Sequence, residues 1–288
     1  MKKMKKLAAF LLAAAMTLAL AACQNDSSNK SSSAKSSDSA VESSNSSAEG
    51  EQTSIDKIKA DGYVTLATNA EFEPFEYKDG EGYKGIDIDI ANKIAEKLGV
   101  ELQIHDVAFS TVMPELSSGK ANFVAAGLTA TEDRQKNADF SETYFEAKQS
   151  IIVLNDSAIA KPADLTGKTV GVQEGTTGDI YCTNEDGKSE VSGIQVQRYN
   201  KGVDAVTDLI SGRIDAVVID DFPANKFVEK NPDKIKKLDD SLTTEEYVIA
   251  VQKGDAPMLE VVNEVLKELK DSGELQTIIG NYKEALEG

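Results

Sequence analysis

The chain has 288 residues, with 49 Asp and Glu against 31 Lys and Arg, for a formal net charge of −18. A balance this acidic argues against nucleic acid or anionic lipid as the partner. One His and two Cys are too few for a zinc site or a disulfide framework, so stability must come from core packing.

The N-terminus opens with Lys2, Lys3, Lys5 and Lys6 and then runs apolar from Leu7 to Leu20. That order is the layout of a secretory signal peptide, expected over residues 1–22. The run is too short to span a bilayer, which takes ~20 residues. Its end, Leu20-Ala21-Ala22-Cys23, resembles the lipobox of bacterial lipoproteins, in which the Cys thiol carries diacylglycerol. The resemblance implies a chain lipid-anchored through Cys23 on the extracellular face of the cell membrane. Residues 24–53 are dominated by Ser and hold no aromatic residue. Such a stretch cannot bury enough apolar surface to offset its ordering entropy, so 23–53 reads as a lipidated tether. Cleavage after Ala22 removes four Lys and no acids, taking the charge from −18 to −22.

About 235 residues follow, enough for two modest α/β domains. Tyr63–Thr68 reads as a strand, Asp87–Leu98 as a helix ended by Gly99, and Val100–Val107 as a strand. Thr111–Ser117 reads as a short helix and Asn122–Leu128 as a strand. Lys168–Gln173 is a strand running into Gly175-Thr176-Thr177-Gly178 and a helix. Ile194–Tyr199 reads as a strand, Val203–Ser211 as a helix, and Ile214–Ile219 as a buried strand. Tyr247–Gln252 reads as a strand, Pro257–Lys270 as an amphipathic helix, and a last helix follows Gly273. Alternation of this kind implies mostly parallel sheets covered on both faces, with a cleft between two such bodies as the place for a ligand.

Gly85-Ile86-Asp87-Ile88-Asp89-Ile90 with Ile94-Ala95 and Leu98 resembles the signature of the family 3 (polar amino acid) extracellular solute-binding proteins of ABC transporters. Further matches follow in order: Thr68 to Phe75, Phe109-Ser110, Ala126 to Arg134, Asp139-Phe140-Ser141, Val170 to Gly178 and Asp215 to Asp220. The resemblance covers Ile55 to Gly288 and implies a two-lobed, type II periplasmic-binding-protein-like α/β fold. Lobe 1 would take residues 54–145 and 246–288, and lobe 2 residues 146–245, with hinges near 143–148 and 243–246. It also implies a monomer that closes on a free amino acid and docks on a membrane permease powered by a separate ATPase. No cofactor, metal or catalytic residue is expected, and the chain carries no Gly-x-x-x-x-Gly-Lys-Ser/Thr loop of its own.

A zwitterionic ligand needs an anion site, a cation site and a selector. Arg134 can hold an α-carboxylate by two parallel hydrogen bonds, and Thr176 and Thr177 open a helix whose free N–H groups can join it. Asp220, at the end of a buried strand, suits the α-ammonium, with Thr129 and the Gly127 carbonyl beside it. Each has a plainer reading. Taken alone, Arg134 reads better as a solvated helix residue, Gly-Thr-Thr-Gly as a cap, and Asp220-Asp221 as a helix start. The resemblance tips them toward ligand binding, and it also implies that Phe72 and Phe109 line the ligand's stem. Phe75 and His105 read as structural, and Asp87 and Asp89 as helix-start residues favoured by the dipole.

Side-chain choice rests on Asn69, Glu71 and Gln173, with Glu174 and Asp179 as further candidates. The run Val172 to Ile180 is similar to arginine-type binders, and Glu71 is the anion nominated for a guanidinium. The expected ligand is a basic amino acid, arginine favoured, with glutamine or cystine as the alternative. An exported enzyme of cyclohexadienyl dehydratase type is the rival from another class, with Glu71 or Glu174 as its acid. A sensor module would need a transmembrane helix after Gly288.

Overall fold

A computed structural model describes residues 52–282. The expected signal peptide, Cys23 and nearly all of the tether lie outside the described residues. Thr53 caps the first helix, α1 (Ser54–Asp61): its hydroxyl accepts from the Asp56 N–H at 3.2 Å and its N–H donates to Asp56 at 3.0 Å. The chain then runs β1 (Tyr63–Thr68), a small hairpin sheet β2 (Glu71–Phe72), β3 (Glu76–Asp79) and β4 (Gly82–Lys84), and α2 (Ile86–Leu98). After β5 (Glu101–Asp106), α3 (Phe109–Ser117), β6 (Phe123–Val124), α4 (Glu132–Gln135) and β7 (Ala138–Phe140) it crosses out through β8 (Phe145–Ala147).

The second body is β9 (Gln149–Leu154), β10 (Thr169–Gln173), α5 (Thr177–Thr183), β11 (Gln195–Tyr199), α6 (Gly202–Ile210), β12 (Ala216–Asp220), α7 (Asp221–Lys230) and β13 (Ile235–Ser241). The chain returns through β14 (Glu245–Tyr247) to β15 (Ala250–Gln252), α8 (Ala256–Ser272) and α9 (Glu274–Asn281).

Two five-stranded sheets result, in the orders β5-β1-β6-β15-β7 and β11-β10-β12-β9-β13. Each is parallel except for one strand, β15 or β9, which pairs antiparallel with both neighbours. These two are the strands entered directly from the crossing strands β14 and β8, which pair antiparallel to each other, Glu245 opposite Ala147 and Tyr247 opposite Phe145. The crossing reverses the chain's sense, and that is why the odd strand appears in each sheet.

Alternation in the strands feeds a core on each sheet face. In β12, Ala216 and Val218 pack with Leu165 and Tyr181, whereas Val217 and Ile219 pack with Ala205 and Leu209. In β1, Val64 and Leu66 face the core built from α2 and α8, and Ala67 faces Val112 and Leu116 of α3. Each fully buried Leu or Ile contributes about 1.5–3 kcal/mol. At the crossing, fully buried Phe75 meets Phe145 at 4.9 Å, Tyr247 at 5.0 Å and Phe222 of α7 at 5.8 Å between centroids. This aromatic knot carries packing from one body into the other, so Phe75 is a core residue as its sequence reading expected.

Several elements differ from the sequence expectations. The expected strand Asn122–Leu128 pairs only at Phe123–Val124, because Gly127 turns the chain at φ +51°. The expected strand Tyr247–Gln252 is split, Tyr247 ending the crossing strand and Ala250 opening the sheet strand. Cys182 is buried, and burial pushes its thiol up to about 12, leaving it an unreactive core side chain. No described helix is long and apolar enough to cross a membrane.

Candidate functional site

Between the sheets lies a narrow cleft. Its wall is Asn69, Phe72, Glu76, Phe109, Ala126, Gly127, Thr129, Arg134, Gln173, Thr176, Thr177 and Asp220. Ten of the eleven ligand residues expected from sequence therefore meet in one place. Glu71 does not join them: it sits at the rim, ion-paired with Lys201 from the opposite side.

The first half of the wall comes from loops at the strand ends. The loop after β6 carries Gly127, where a Cβ would lie 2.7 Å from the Phe72 ring, so only Gly admits the aromatic side chain. Its N–H donates to Asp87 at 2.9 Å, and Asp87 also accepts from the Tyr144 hydroxyl at 2.7 Å. Asp87 is thus more than a helix-start residue: fully buried, with its carboxyl pushed up to about 6 by burial, it fixes the loop that forms the wall. Asp89, its neighbour by two, accepts from the Tyr282 hydroxyl at 3.1 Å.

Thr131 caps α4 through the Arg134 N–H and so delivers Arg134 to the cavity. The guanidinium donates to the Thr129 carbonyl at 2.7 Å and, across the cleft, to the Gly175 carbonyl at 2.8 Å. It stands 5.4 Å from the centre of the Phe109 ring, a cation–π distance. Burial pushes it down to about 10, against the pull of Glu245 and Asp220, which leaves it charged at neutral pH. Phe109 is therefore a platform for Arg134.

The other half is built on β10 and β12. Gln173, at the end of β10, donates to Asn69 across the cleft at 2.8 Å and to the Asn200 carbonyl at 3.2 Å; Asn69 donates to the Val107 carbonyl at 2.9 Å. Thr176 caps α5, its hydroxyl accepting from the Asp179 N–H, and Thr177 opens the helix with a first-turn N–H. Asp220 ends β12, 6% exposed, and accepts from the Tyr247 hydroxyl. Burial, and then the charge of Glu245, push its carboxyl up to about 7.

Sequence reasoning passed over two acids. Glu245 accepts from Thr129 at 3.1 Å and Thr177 at 2.7 Å, tying the two halves of the wall, and from Thr243 at 2.7 Å. Glu76 is fully buried on the wall, and among the described residues neither of its oxygens has a hydrogen-bond donor. Burial, then the charge of Asp87, push its carboxyl well above the usual range. The only sequence signal was a Glu placed one residue after the Phe72–Phe75 segment. His105 stays outside, 3.2 Å from Glu115. No group of three or more His, Cys, Asp or Glu able to hold a metal ion occurs among the described residues.

The family model of bacterial extracellular solute-binding proteins, family 3, matches residues 64–285. The chain belongs to this family. Similarity to individual members is high: the arginine-binding extracellular protein ArtP of Bacillus subtilis (strain 168) is 31% identical over 278 residues, 96% of each chain. A crystal structure of the P235GK mutant of ArgBP from T. maritima superposes with a TM-score of 0.74 and 43% identity, covering 80% of this chain and 99% of the other. AncCDT-1, an ancestral amino acid-binding protein described as a precursor of cyclohexadienyl dehydratase, superposes at TM-score 0.71 and 31% identity, covering 80% and 99%. In this solute-binding protein the cavity thus occupies the cleft of a two-lobed, mixed α/β fold. Glu76 and Asp220 give its wall two acids and Arg134 one cation.

Proposed function

We propose that this solute-binding protein captures a basic amino acid, arginine first, and hands it to the permease of an ABC importer. The observation that carries the choice is Glu76, a fully buried carboxyl on the cavity wall to which no group among the described residues donates. Ionising a buried carboxyl that no cation or N–H meets is costly, and a guanidinium supplies both the charge and the planar donors that such a carboxylate lacks. Glu76 takes the selector role nominated for Glu71, whose charge is spent on Lys201 at the rim. The arginine-binding name of the Bacillus subtilis relative and the arginine-bound structure of ArgBP from T. maritima favour the same ligand.

The α-carboxylate would lie on Arg134, helped by the Thr177 N–H and the Thr176 end of α5. The α-ammonium would pair with Asp220, with Thr129 and the Gly127 carbonyl completing its shell. Phe72 would flank the stem, and Asn69 and Gln173 would close over it. Lobe 1 comprises residues 54–145 and 246–288, lobe 2 residues 146–245, and the crossing strands β8 and β14 are the hinge. The protein acts as a monomeric binder, not an enzyme, and leaves prephenate and arogenate unchanged.

Titration calorimetry of the ligand-stripped protein with the twenty amino acids tests the assignment. Arginine binds tightest and lysine follows; heat from glutamine alone, or from acidic amino acids alone, overturns it. Cys23 carries a diacylglycerol that holds the protein at the outer membrane face on its Ser-rich tether. Cys23→Ala then sheds protein into the medium with binding intact, and full membrane retention refutes the anchor.

A further inference from the structure

Glu76 presents a problem of charge that the bound ligand alone does not solve. The charges of Asp87 on α2, which also accepts from Tyr144 and Gly127, of Asp220 at the end of β12 and of Asp106 at the end of β5 all act on it. Lys78 spends its charge on Asp106 at 2.6 Å, Tyr247 donates to Asp220, and Arg134 donates to two carbonyls. Among the described residues, no cation and no N–H reaches Glu76 itself. An ionised carboxylate here would be buried, undonated and ringed by acids, the costliest state a carboxyl can adopt. As a carboxylic acid it is neutral and gains a donor, and Asp87 is the acceptor beside it. The upward push on Glu76, from burial first, then the Asp87 charge, then a hydrogen bond to Asp87, agrees with that geometry.

We infer that the empty cleft stores a proton on Glu76 and that a cationic ligand side chain displaces it, so basic amino acids bind by exchanging a cation for a proton. This inference rests on the basic-ligand reading. The Glu76 O–H bond breaks, its electron pair stays on the carboxylate, the proton passes to a solvent base, and the guanidinium pairs with the ionised carboxyl. A neutral side chain leaves the proton in place. The empty site holds more protons than the complex, so rising pH favours binding. Arginine affinity falls up to about tenfold for each pH unit lowered beneath the Glu76 titration of the empty site. A protein exposed to an acidified medium would then release basic ligands first.

The test is calorimetry of the full chain with arginine and with its neutral isostere citrulline in buffers of different ionisation enthalpy. Asp220 faces the α-ammonium common to both, so the informative quantity is the difference between them. Arginine should release about one proton more than citrulline. Glu76→Gln should erase that difference. Infrared difference spectra of the wild-type chain, which need no variant, should lose more carboxylic-acid C=O intensity with arginine than with citrulline, the Asp220 change being common to both. Arginine binding with no more proton release, no steeper pH dependence and no greater band loss than citrulline overturns proton exchange and leaves the ligand assignment standing. Failure of every basic amino acid to bind overturns the ligand assignment itself. Persistence of the extra proton in Glu76→Gln overturns the choice of residue.

Discussion

Replacing Asp220 with Asn should stabilise the empty protein and ruin its binding. Asp220 is 6% exposed, and its carboxyl is pushed from 3.8 up to about 7 by burial and by the charge of Glu245. A folded value above the unfolded one means the group supports the fold below the unfolded value and loses that support as pH rises through about 7. At pH 8 the upper bound on the penalty is about 4 kcal/mol, from roughly 1.36 kcal/mol per unit. Asn keeps an oxygen for the Tyr247 hydroxyl and removes the charge, so a gain of about 1–3 kcal/mol remains after relaxation. At roughly 2–4 °C per kcal/mol for a body of this size, the ligand-free Tm should rise by about 2–12 °C at pH 8 and little at pH 4. Arginine affinity should fall at least about a hundredfold, because the α-ammonium loses a buried counter-charge. Calorimetric melts from pH 4 to 8, with titration calorimetry at pH 8, measure both. An Asn variant that is less stable at pH 8, or equally stabilised at both pH values, refutes the reasoning.

Arg134→Lys keeps the charge but loses the fork that reaches two carbonyls at once, so arginine affinity should drop about 30-fold or more with the Tm nearly unchanged. Affinity within threefold of wild type would sink the carboxylate role. Gly127→Ala places a methyl 2.7 Å from the Phe72 ring at φ +51° and should lower the Tm by several degrees, about 1–3 kcal/mol; an unchanged melt would contradict the close approach. The rim pair Lys201–Glu71 is solvent-screened, so Lys201→Ala should change affinity by less than about threefold at physiological salt. A larger loss would place Glu71 in the binding machinery after all.

Much of this was legible in one dimension. Apolar runs and Gly stops marked the strands and helices, and the spaced motifs marked ten of the cavity residues. What the sequence hid has physical causes. Strand direction is silent in composition, so the reversed strands β9 and β15 follow only from the crossing. Residues 247–251 are buried throughout, so hydrophobicity runs on where the hydrogen-bond partner changes. Glu76 stands in Glu76-Tyr77-Lys78-Asp79, a string that reads as a solvated hairpin, and burial comes only when distant elements close over it. Glu245 sits next to Glu246 in the same disguise, although Thr129 and Thr177 come from opposite halves to meet it. Residues that act across a cleft leave no local period to read.

The distribution of charge around the cavity also fixes what is kept out. Arg134 is the cation on the wall; Asp220 and Glu76 are on the wall and Glu245 is behind it. On the proposed placement a basic amino acid brings an ammonium for Asp220, a carboxylate for Arg134 and a second cation for Glu76, so every charge it carries meets an opposite. A neutral amino acid meets two of these and leaves Glu76 protonated, which costs nothing further. An acidic one brings a second anion to a fully buried wall position where, among the described residues, the one donor is the Glu76 O–H, already turned to Asp87. That mismatch costs several kcal/mol, a factor of 10³ or more at about 1.4 kcal/mol per decade, so exclusion is built from repulsion as much as choice from attraction. The affinity order should therefore be arginine, then citrulline, then glutamate. Competition titrations measure it, and glutamate displacing arginine at similar concentration would show that Glu76 does not face the ligand's side chain.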